Sequence, residues 1–184
     1  MNIALLGGAF NPPHNGHLMI AQQVLDFTDK GEVWFLPNYG QIPAKRVAPV
    51  ADRVAMAKLL VLPKTRVSTI EIDNELDGET VHLLPFLPKE HTFSFVIGSD
   101  QLPGFTTWLN WEQLLASMTF WVFPRPGSPT QPLHPGMKVI THELLIGNDI
   151  SSTRIRERIA KGLPIDQFMP LSISQYIGKS GLYQ

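Results

Sequence analysis

Short apolar runs alternate along this chain with stretches whose apolar residues recur at helical spacing. The runs predict strands over residues 3–6, 32–37, 66–70, 93–98, 119–123 and 138–140. The helical spacing predicts helices over residues 18–25, 51–60, 111–116, 151–161 and 172–179. Strands that alternate with helices indicate an α/β fold, with a doubly wound, mostly parallel sheet and helices on both faces.

The composition is ordinary for a globular chain and excludes several kinds of protein. The 184 residues are 43% hydrophobic and carry a formal net charge of −1, so no global basic field for nucleic acid exists. The absence of cysteine excludes a disulfide framework, a thiol nucleophile and a Cys-ligated metal site. No apolar run approaches the roughly 20 residues of a membrane helix, and no secretory signal is visible. We therefore expect a cytoplasmic protein with no nucleic-acid or membrane partner, and a homo-oligomer remains possible.

Residues 7–17, GGAFNPPHNGH, connect the first predicted strand to the first predicted helix. The two leading glycines would let the backbone turn tightly and approach a bound group. Gly16 would sit at the helix start, where free backbone N–H groups favour an anion. His14 and His17 would face one side of the turn, and imidazole can donate hydrogen bonds to phosphate oxygens. The stretch predicts a phosphate cradle, although similar glycine turns also occur in α/β proteins that bind no nucleotide.

Two further polar stretches lie where a ligand of such a sheet would bind. Residues 98–102, GSDQL, follow a predicted buried strand, so the carboxylate of Asp100 could accept hydrogen bonds from ribose or simply cap a turn. Residues 150–156, ISSTRIR, open a helix whose N-terminus suits an anion, with Arg156 on the same face as Thr153. A capped helix with a solvated basic face would give the same pattern. Ligands of parallel sheets bind at the strands' carboxyl ends, where all three clusters could converge.

Taken together, these strings resemble the motifs of a known family. The opening stretch matches GGxFxPxH and the (H/T)xGH signature, here HNGH, and ISSTRIR matches the second signature, ISSTxIR. The chain is thus similar to the bacterial nicotinate-nucleotide adenylyltransferases of the HxGH nucleotidyltransferase superfamily. The resemblance covers nearly the whole chain and implies a single Rossmann-like domain over residues 1–184. It also implies adenylyl transfer from ATP, with Mg²⁺, to nicotinate mononucleotide, giving deamido-NAD and pyrophosphate.

The resemblance assigns roles to residues at matching positions. His14 and His17 would be the catalytic residues and would stabilise the ATP phosphates. The ATP-binding positions, besides these histidines, would be Gly8, Ala9, Phe10, Gly16, Lys45, Gly98, Asp100, Ser152, Thr153 and Arg156. The acceptor-binding positions would be Thr80, Trp108 and Arg125, and no side chain is assigned to a metal. Trp108 would stack on the pyridine ring, although it could also be a core residue, with Trp111 as a nearby competitor.

Some positions depart from the family pattern. Ala9 replaces a hydroxyl residue, and Ala44 replaces a histidine. Glu79 lies in the segment that would recognise the nicotinate carboxylate, where an inward-facing negative charge would be unfavourable. His82 is interpreted as a helix-surface residue. The alternatives are another adenylyltransferase of the superfamily, acting on nicotinamide mononucleotide or phosphopantetheine, and a non-catalytic nucleotide-binding module.

Overall fold

The computed structural model describes residues 1–40 and 47–184, and within these ranges six strands form one sheet. The strands are β1 (Asn2–Gly8), β2 (Glu32–Pro37), β3 (Thr65–Val67), β4 (Thr92–Gly98), β5 (Thr119–Phe123) and β6 (Met137–Val139). Their order is β3-β2-β1-β4-β5-β6, and each neighbouring pair is parallel. This is the doubly wound Rossmann order, which confirms the predicted α/β class.

Helices cover both faces of the sheet. They are α1 (Asn15–Phe27), α2 (Val50–Ala57), α3 (Ile70–Asp73), α4 (Thr80–Leu83), α5 (Trp111–Ser117), α6 (Ser152–Ala160) and α7 (Leu171–Ser180), with 3₁₀ segments at Leu84–Phe86 and Ser99–Thr107. Helices α1, α2, α6 and α7 pack on one face, against Ala4 and Leu6 of β1. Helices α4 and α5 and the longer 3₁₀ segment pack on the other face, against Ile3 and Leu5. Alternate residues of β1 therefore serve two separate cores, as the two-residue period of a strand requires.

The predicted elements lie within three residues of the observed ones, and two predictions need correction. The predicted strand over 66–70 ends at Val67, because Ile70 begins α3. The 3₁₀ helix Ser99–Thr107 was not predicted, because Pro103 lies inside it and interrupts the helical pattern. That helix follows β4 directly and carries Asp100, so it determines where the second polar cluster lies.

The order of the strands reverses at β1, which lies between β2 and β4. The carboxyl ends of β1 and β4, at Gly8 and Gly98, border the crevice where ligands of doubly wound sheets bind. Within the described ranges, no helix combines the length and the apolar character needed to cross a membrane.

Candidate active site

Residues 9–14, between β1 and α1, form a turn that we call the opening turn. Its backbone carbonyl oxygens accept hydrogen bonds from side chains far away in sequence: Arg53 Nη1 donates to Ala9 over 2.8 Å, Arg156 Nη1 to Asn11 over 2.7 Å, and Ser152 Oγ to Pro12 over 2.8 Å. Each bond joins the turn to a different part of α2 or α6. Tertiary contacts therefore determine the conformation of the opening turn.

The glycines that precede this turn have a different role from the one predicted. Gly7 and Gly8 are residues of β1 paired with β2, and the left-handed backbone lies at Phe10, with φ +47°. A Cβ on Gly7 would lie 2.7 Å from the ring of Phe95, so a larger residue would force that ring to move. A Cβ on Gly8 would come no closer than 3.8 Å to Phe10. The prediction that these glycines make a tight turn was wrong, while their approach to a bound group stays a prediction.

His14 and His17 meet at the first turn of α1, with ring centroids 3.9 Å apart. The backbone N–H of His14 donates to Nδ1 of His17 over 3.2 Å. Because Nδ1 of His17 accepts this bond, the proton of the neutral ring resides on Nε2. Phe10 packs against the same ring, with centroids 4.7 Å apart, and holds its orientation. His17 is therefore a neutral hydrogen-bond donor through Nε2–H.

Burial keeps both imidazoles uncharged. Desolvation, followed by the nearby His17 and Arg125, holds the pKa of His14 well below its ordinary value. Burial lowers the pKa of His17 to about 4, and Arg125 contributes to that lowering. Both rings are thus neutral near pH 7, and each can donate one N–H to an anionic oxygen.

The N-terminus of α6 faces the opening turn. Ser151 is the N-cap, and its Oγ accepts from the backbone N–H of Arg154 over 3.3 Å. The side chain of Arg154 instead points outward and pairs with Asp149 over 2.8 Å. On the inner side, Arg156 bridges the opening turn and Thr153, whose Oγ1 accepts from Nη2 over 3.1 Å. The first and third predicted clusters therefore meet.

The carboxyl end of β4 joins the same site through Arg125. Nε of Arg125 lies 3.7 Å from Oδ1 of Asp100, and the Arg125 backbone N–H donates to Ser99 Oγ over 3.0 Å. Nη2 of Arg125 donates to the carbonyl of Ile150, just before α6, over 3.4 Å. Gly98 leaves room for this arrangement, since a Cβ there would lie 2.8 Å from Cδ of Arg125. All three predicted clusters thus converge on the crevice, which confirms that part of the sequence interpretation.

A cavity of about 310 Å³ adjoins Gly8 on the side away from α6 and is lined by two of the predicted acceptor residues, Thr80 and Trp108. Trp108 also packs against Phe105, with centroids 5.1 Å apart, so it combines a core contact with a cavity wall. Arg125 is not among the residues that line this cavity and lies instead beside Asp100 and Ile150. The predicted acceptor residues are therefore divided between two places.

Two carboxyl side chains, Glu71 and Glu79, also line this cavity. Glu71 is 5% exposed, and its Oε2 atom has no hydrogen-bond partner among the described residues. Burial raises the pKa of Glu71 to about 7, and the nearby Asp77 adds to the rise. A hydrogen bond from the backbone of Tyr39 and the charge of Arg53 act in the opposite direction. His82, as predicted, is an exposed helix residue, and it pairs with Asp77 over 3.0 Å.

The sequence interpretation missed several residues that hold the site. Arg53 is 1% exposed and lies on the apolar face of α2, and a cation at that spacing among Met56 and Ala57 was the available signal. Asn11, to which the sequence analysis assigned no role, accepts from the backbone N–H of Ala48 over 3.0 Å and from the hydroxyl of Tyr183 over 2.8 Å. The predicted phosphate contact Lys45 and the departure Ala44 lie outside the described residues.

No grouping of three or more His, Asp or Glu side chains in the described part of the chain could hold a metal ion.

Comparison with known proteins agrees with this geometry. The cytidylyltransferase-like family model matches residues 5–158. A probable nicotinate-nucleotide adenylyltransferase of Halalkalibacterium halodurans is 37% identical, over 99% of this chain and 91% of that protein, and one of Bacillus pumilus is 35% identical, over 99% and 98%. The structure of Plasmodium falciparum nicotinic acid mononucleotide adenylyltransferase complexed with NaAD aligns with a TM-score of 0.81 at 21% identity, over 99% of this chain and 97% of that one. The chain belongs to the cytidylyltransferase-like family, and within it to the nicotinate-nucleotide adenylyltransferases.

Proposed function

We propose that this protein transfers the adenylyl group of ATP to nicotinate mononucleotide, forming deamido-NAD and releasing pyrophosphate. The observation that carries the proposal is the convergence of His14, His17 and the α6 N-terminus on a crevice that adjoins the Trp108 cavity. Joining two nucleotides requires a polar site for phosphates beside a pocket for a flat ring. This arrangement offers both, at the carboxyl ends of β1 and β4.

In the proposed reaction, an oxygen of the acceptor's 5′-phosphate attacks the α-phosphorus of ATP, and the bond to the pyrophosphate oxygen breaks. The nucleophile is already an anion, so no covalent enzyme intermediate is needed. The protein positions the two nucleotides and stabilises the charge that develops on the α-phosphoryl oxygens. Nε2–H of His17 would donate to one of these oxygens, with His14 beside it.

The remaining residues would divide between the two substrates. Thr153, Arg156 and the α6 N-terminus would face the ATP phosphates, while Ser152, whose hydroxyl donates to Pro12, would hold the opening turn in position. Asp100 and Arg125 would border the adenosine side, so Arg125 moves from the acceptor to the nucleotide part of the proposal. The remaining ATP contacts would come from the backbone at the β1 and β4 ends and the start of α1, and from Lys45.

The acceptor's ring would enter the cavity against Trp108, where a flat, cationic pyridinium gains from an aromatic face. Thr80 would contact the ring substituent. Glu71 and Glu79 in the same wall favour a second candidate acceptor, nicotinamide mononucleotide, whose ring substituent carries no negative charge. Mg²⁺ would arrive with ATP and be held by the phosphate oxygens. Its role would be to neutralise their charge. The cytoplasm is the location that this activity fits.

Pyrophosphate release from ATP and Mg²⁺ tests the proposal, with nicotinate mononucleotide, nicotinamide mononucleotide and phosphopantetheine supplied in parallel. We expect turnover with nicotinate mononucleotide that depends on both substrates and is lost in His17→Ala. Faster turnover with nicotinamide mononucleotide would favour the second candidate. ATP binding with no release of pyrophosphate from ATP in the presence of any of the three acceptors would overturn the assignment and indicate a binding module.

A further inference from the structure

A second polar side chain, that of Asn148, lies beside Gly16 close to the histidine pair. A Cβ on Gly16 would lie 2.7 Å from Oδ1 of Asn148 and 2.8 Å from Nδ1 of His14. The Asn148 amide and the His14 ring therefore lie beside the same glycine. The distance between Oδ1 of Asn148 and Nδ1 of His14 cannot exceed the sum of those two distances. Two polar atoms within that limit can be bridged by one water molecule, or can form a direct hydrogen bond once the side chains rotate.

The polar atoms at this point share a second property. Both amide atoms of Asn148 and Nδ1 of His14 are buried and have no formed hydrogen bond among the described residues. The backbone N–H of His17 faces the His14 side chain in the capping box of α1, but it donates to the carbonyl oxygen of His14 over 2.9 Å. Leaving a buried polar atom unpaired costs about 1–3 kcal/mol, so several in one place call for a common explanation. The oxygen and nitrogen of an asparagine amide are interchangeable by rotation, so Nδ2 can take the position that faces His14.

The segment that carries Asn148 is fixed against α1. The side chain of Gln23 donates from Nε2 to the carbonyl of Ile146 over 2.9 Å, and the backbone N–H of Ile146 donates back to Oε1 of Gln23. Gln23 is itself buried on α1, the helix that begins beside His14. Asn148 is thereby held close to the histidine by the same helix that presents it.

We propose that Asn148 is a positioning residue, whose amide N–H hydrogen bonds to Nδ1 of His14, directly or through one water molecule. This bond makes Nδ1 an acceptor and leaves the proton of the neutral ring on Nε2. The backbone N–H of His14 does the same for His17. Both histidines then present Nε2–H to the site, whereas the other tautomer of His14 would turn a lone pair toward a phosphate oxygen and repel it. The catalytic consequence rests on the proposed function, but the tautomer does not.

The tautomer can be measured in the ligand-free protein by two-bond ¹H–¹⁵N correlation spectra at pH 7.5, with the His14 signals identified by their loss in His14→Gln. We expect the Nε2–H form in the natural protein. The carboxylate in Asn148→Asp can only accept a hydrogen bond, so we expect the His14 ring to shift toward the Nδ1–H tautomer or toward the protonated form. The positive charge of Arg125 opposes protonation of the ring. Asn148→Leu, which offers no donor, should give a mixture. An Nδ1–H ring in the natural protein, or an unchanged Nε2–H ring in both variants, would overturn the proposal.

Kinetics give the second readout. Asn74→Asp is the matched control, because Asn74 is exposed and its side-chain amide donates to the carbonyl oxygen of Ile70 in its own helix. We expect Asn148→Asp to lower kcat by about tenfold or more, with little change in the KM of the acceptor. The control should be unaffected. Equal kcat in Asn148→Asp and the natural protein contradicts the positioning role. If the natural protein shows the expected tautomer but transfers no adenylyl group, the proposed function is rejected. The proposed His14–Asn148 hydrogen bond is still supported in that case.

Discussion

The backbone N–H of His14 donates to Nδ1 of His17 over 3.2 Å, so the first histidine determines which nitrogen of the second carries the proton. This bond uses no side chain of His14 and stays in place when the His14 ring changes. It also links the N-cap of α1 directly to the group that we place nearest the reacting phosphorus. The two histidines are therefore coupled through the backbone as well as through their rings.

Replacing His17 should remove transition-state stabilisation with little effect on folding. We expect His17→Ala to lower kcat by about 100-fold or more, because a preorganised N–H donor contributes most where charge develops. Initial rates of pyrophosphate release measure the effect. His142→Ala is the control, since His142 is exposed and stacks on Phe27. Similar rates in His17→Ala and the natural protein would exclude the assigned role.

Two arginines of α6 provide a matched pair. Arg156 faces the opening turn and binds the carbonyl of Asn11, whereas Arg154 is exposed and pairs with Asp149. We expect Arg156→Ala to raise the KM of ATP by about tenfold or more, because it loses a phosphate-facing charge and loosens the turn. Arg154→Ala should change it less than twofold, since exposed ion pairs contribute little. Equal effects on the KM of ATP in the two variants would show that ATP binding depends on the net charge of the protein and not on the position of Arg156.

The aromatic wall of the cavity should act on the acceptor alone. Trp108→Ala removes a surface for the pyridine ring, so we expect the KM of the acceptor to rise by about tenfold while the KM of ATP changes little. Trp111→Phe is the control, because Trp111 packs on His134 and does not line this cavity. Steady-state kinetics with each substrate varied in turn separate the two constants. A rise confined to the KM of ATP would show that Trp108 contacts ATP and not the acceptor.

Glu71 should make stability depend on pH in a direction opposite to that of most carboxyl groups. Its pKa is about 7 in the folded protein, above the ordinary value of 4.5, so the folded state binds the proton more tightly. The stability it contributes is fully present below about pH 4.5 and is lost as the pH rises through 7. Glu71→Gln removes this loss, so the variant should gain stability relative to the natural protein across that window, by about 2–3 kcal/mol in total.

Urea denaturation at pH 5, 6, 7 and 8 measures this difference. The histidines of the site lose stability toward acid, but they are present in both proteins and cancel from the comparison. Glu112→Gln, an exposed carboxyl on α5, should track the natural protein at every pH. A Glu71→Gln difference that stays constant with pH contradicts a buried, proton-binding Glu71.

Much of the site could be predicted because its signatures are local strings. The HNGH and ISSTRIR motifs each specify a strand-to-helix turn or a helix start within a few residues, and apolar runs revealed the strands around them. Arg53, Glu71 and Asn148 could not be found in this way. The role of each residue follows from tertiary packing: Arg53 lies under the opening turn, Glu71 in the cavity wall and Asn148 beside Gly16. The sequence offered a signal only for Arg53, as a cation on the apolar face of a helix, and that signal does not indicate what Arg53 binds.

Arg125 illustrates a different limit. The resemblance assigned Arg125 to the acceptor, but a side chain that begins just after β5 can reach either the acceptor or the nucleotide. Its direction depends on the 3₁₀ helix after β4, which places Ser99 and Asp100 beside it and which the sequence pattern did not predict. An unpredicted element thus changed the assignment of a predicted residue.

The opening turn depends on partners 44, 140, 145 and 172 residues away: Arg53, Ser152, Arg156 and Tyr183. Contacts at such separations form only after large loops have closed, so a chain with part of its sheet assembled has no finished turn. Enzymatic turnover is therefore a reporter of cooperative folding. Activity and far-ultraviolet circular dichroism should disappear at the same denaturant concentration, with no partly unfolded species that still turns over.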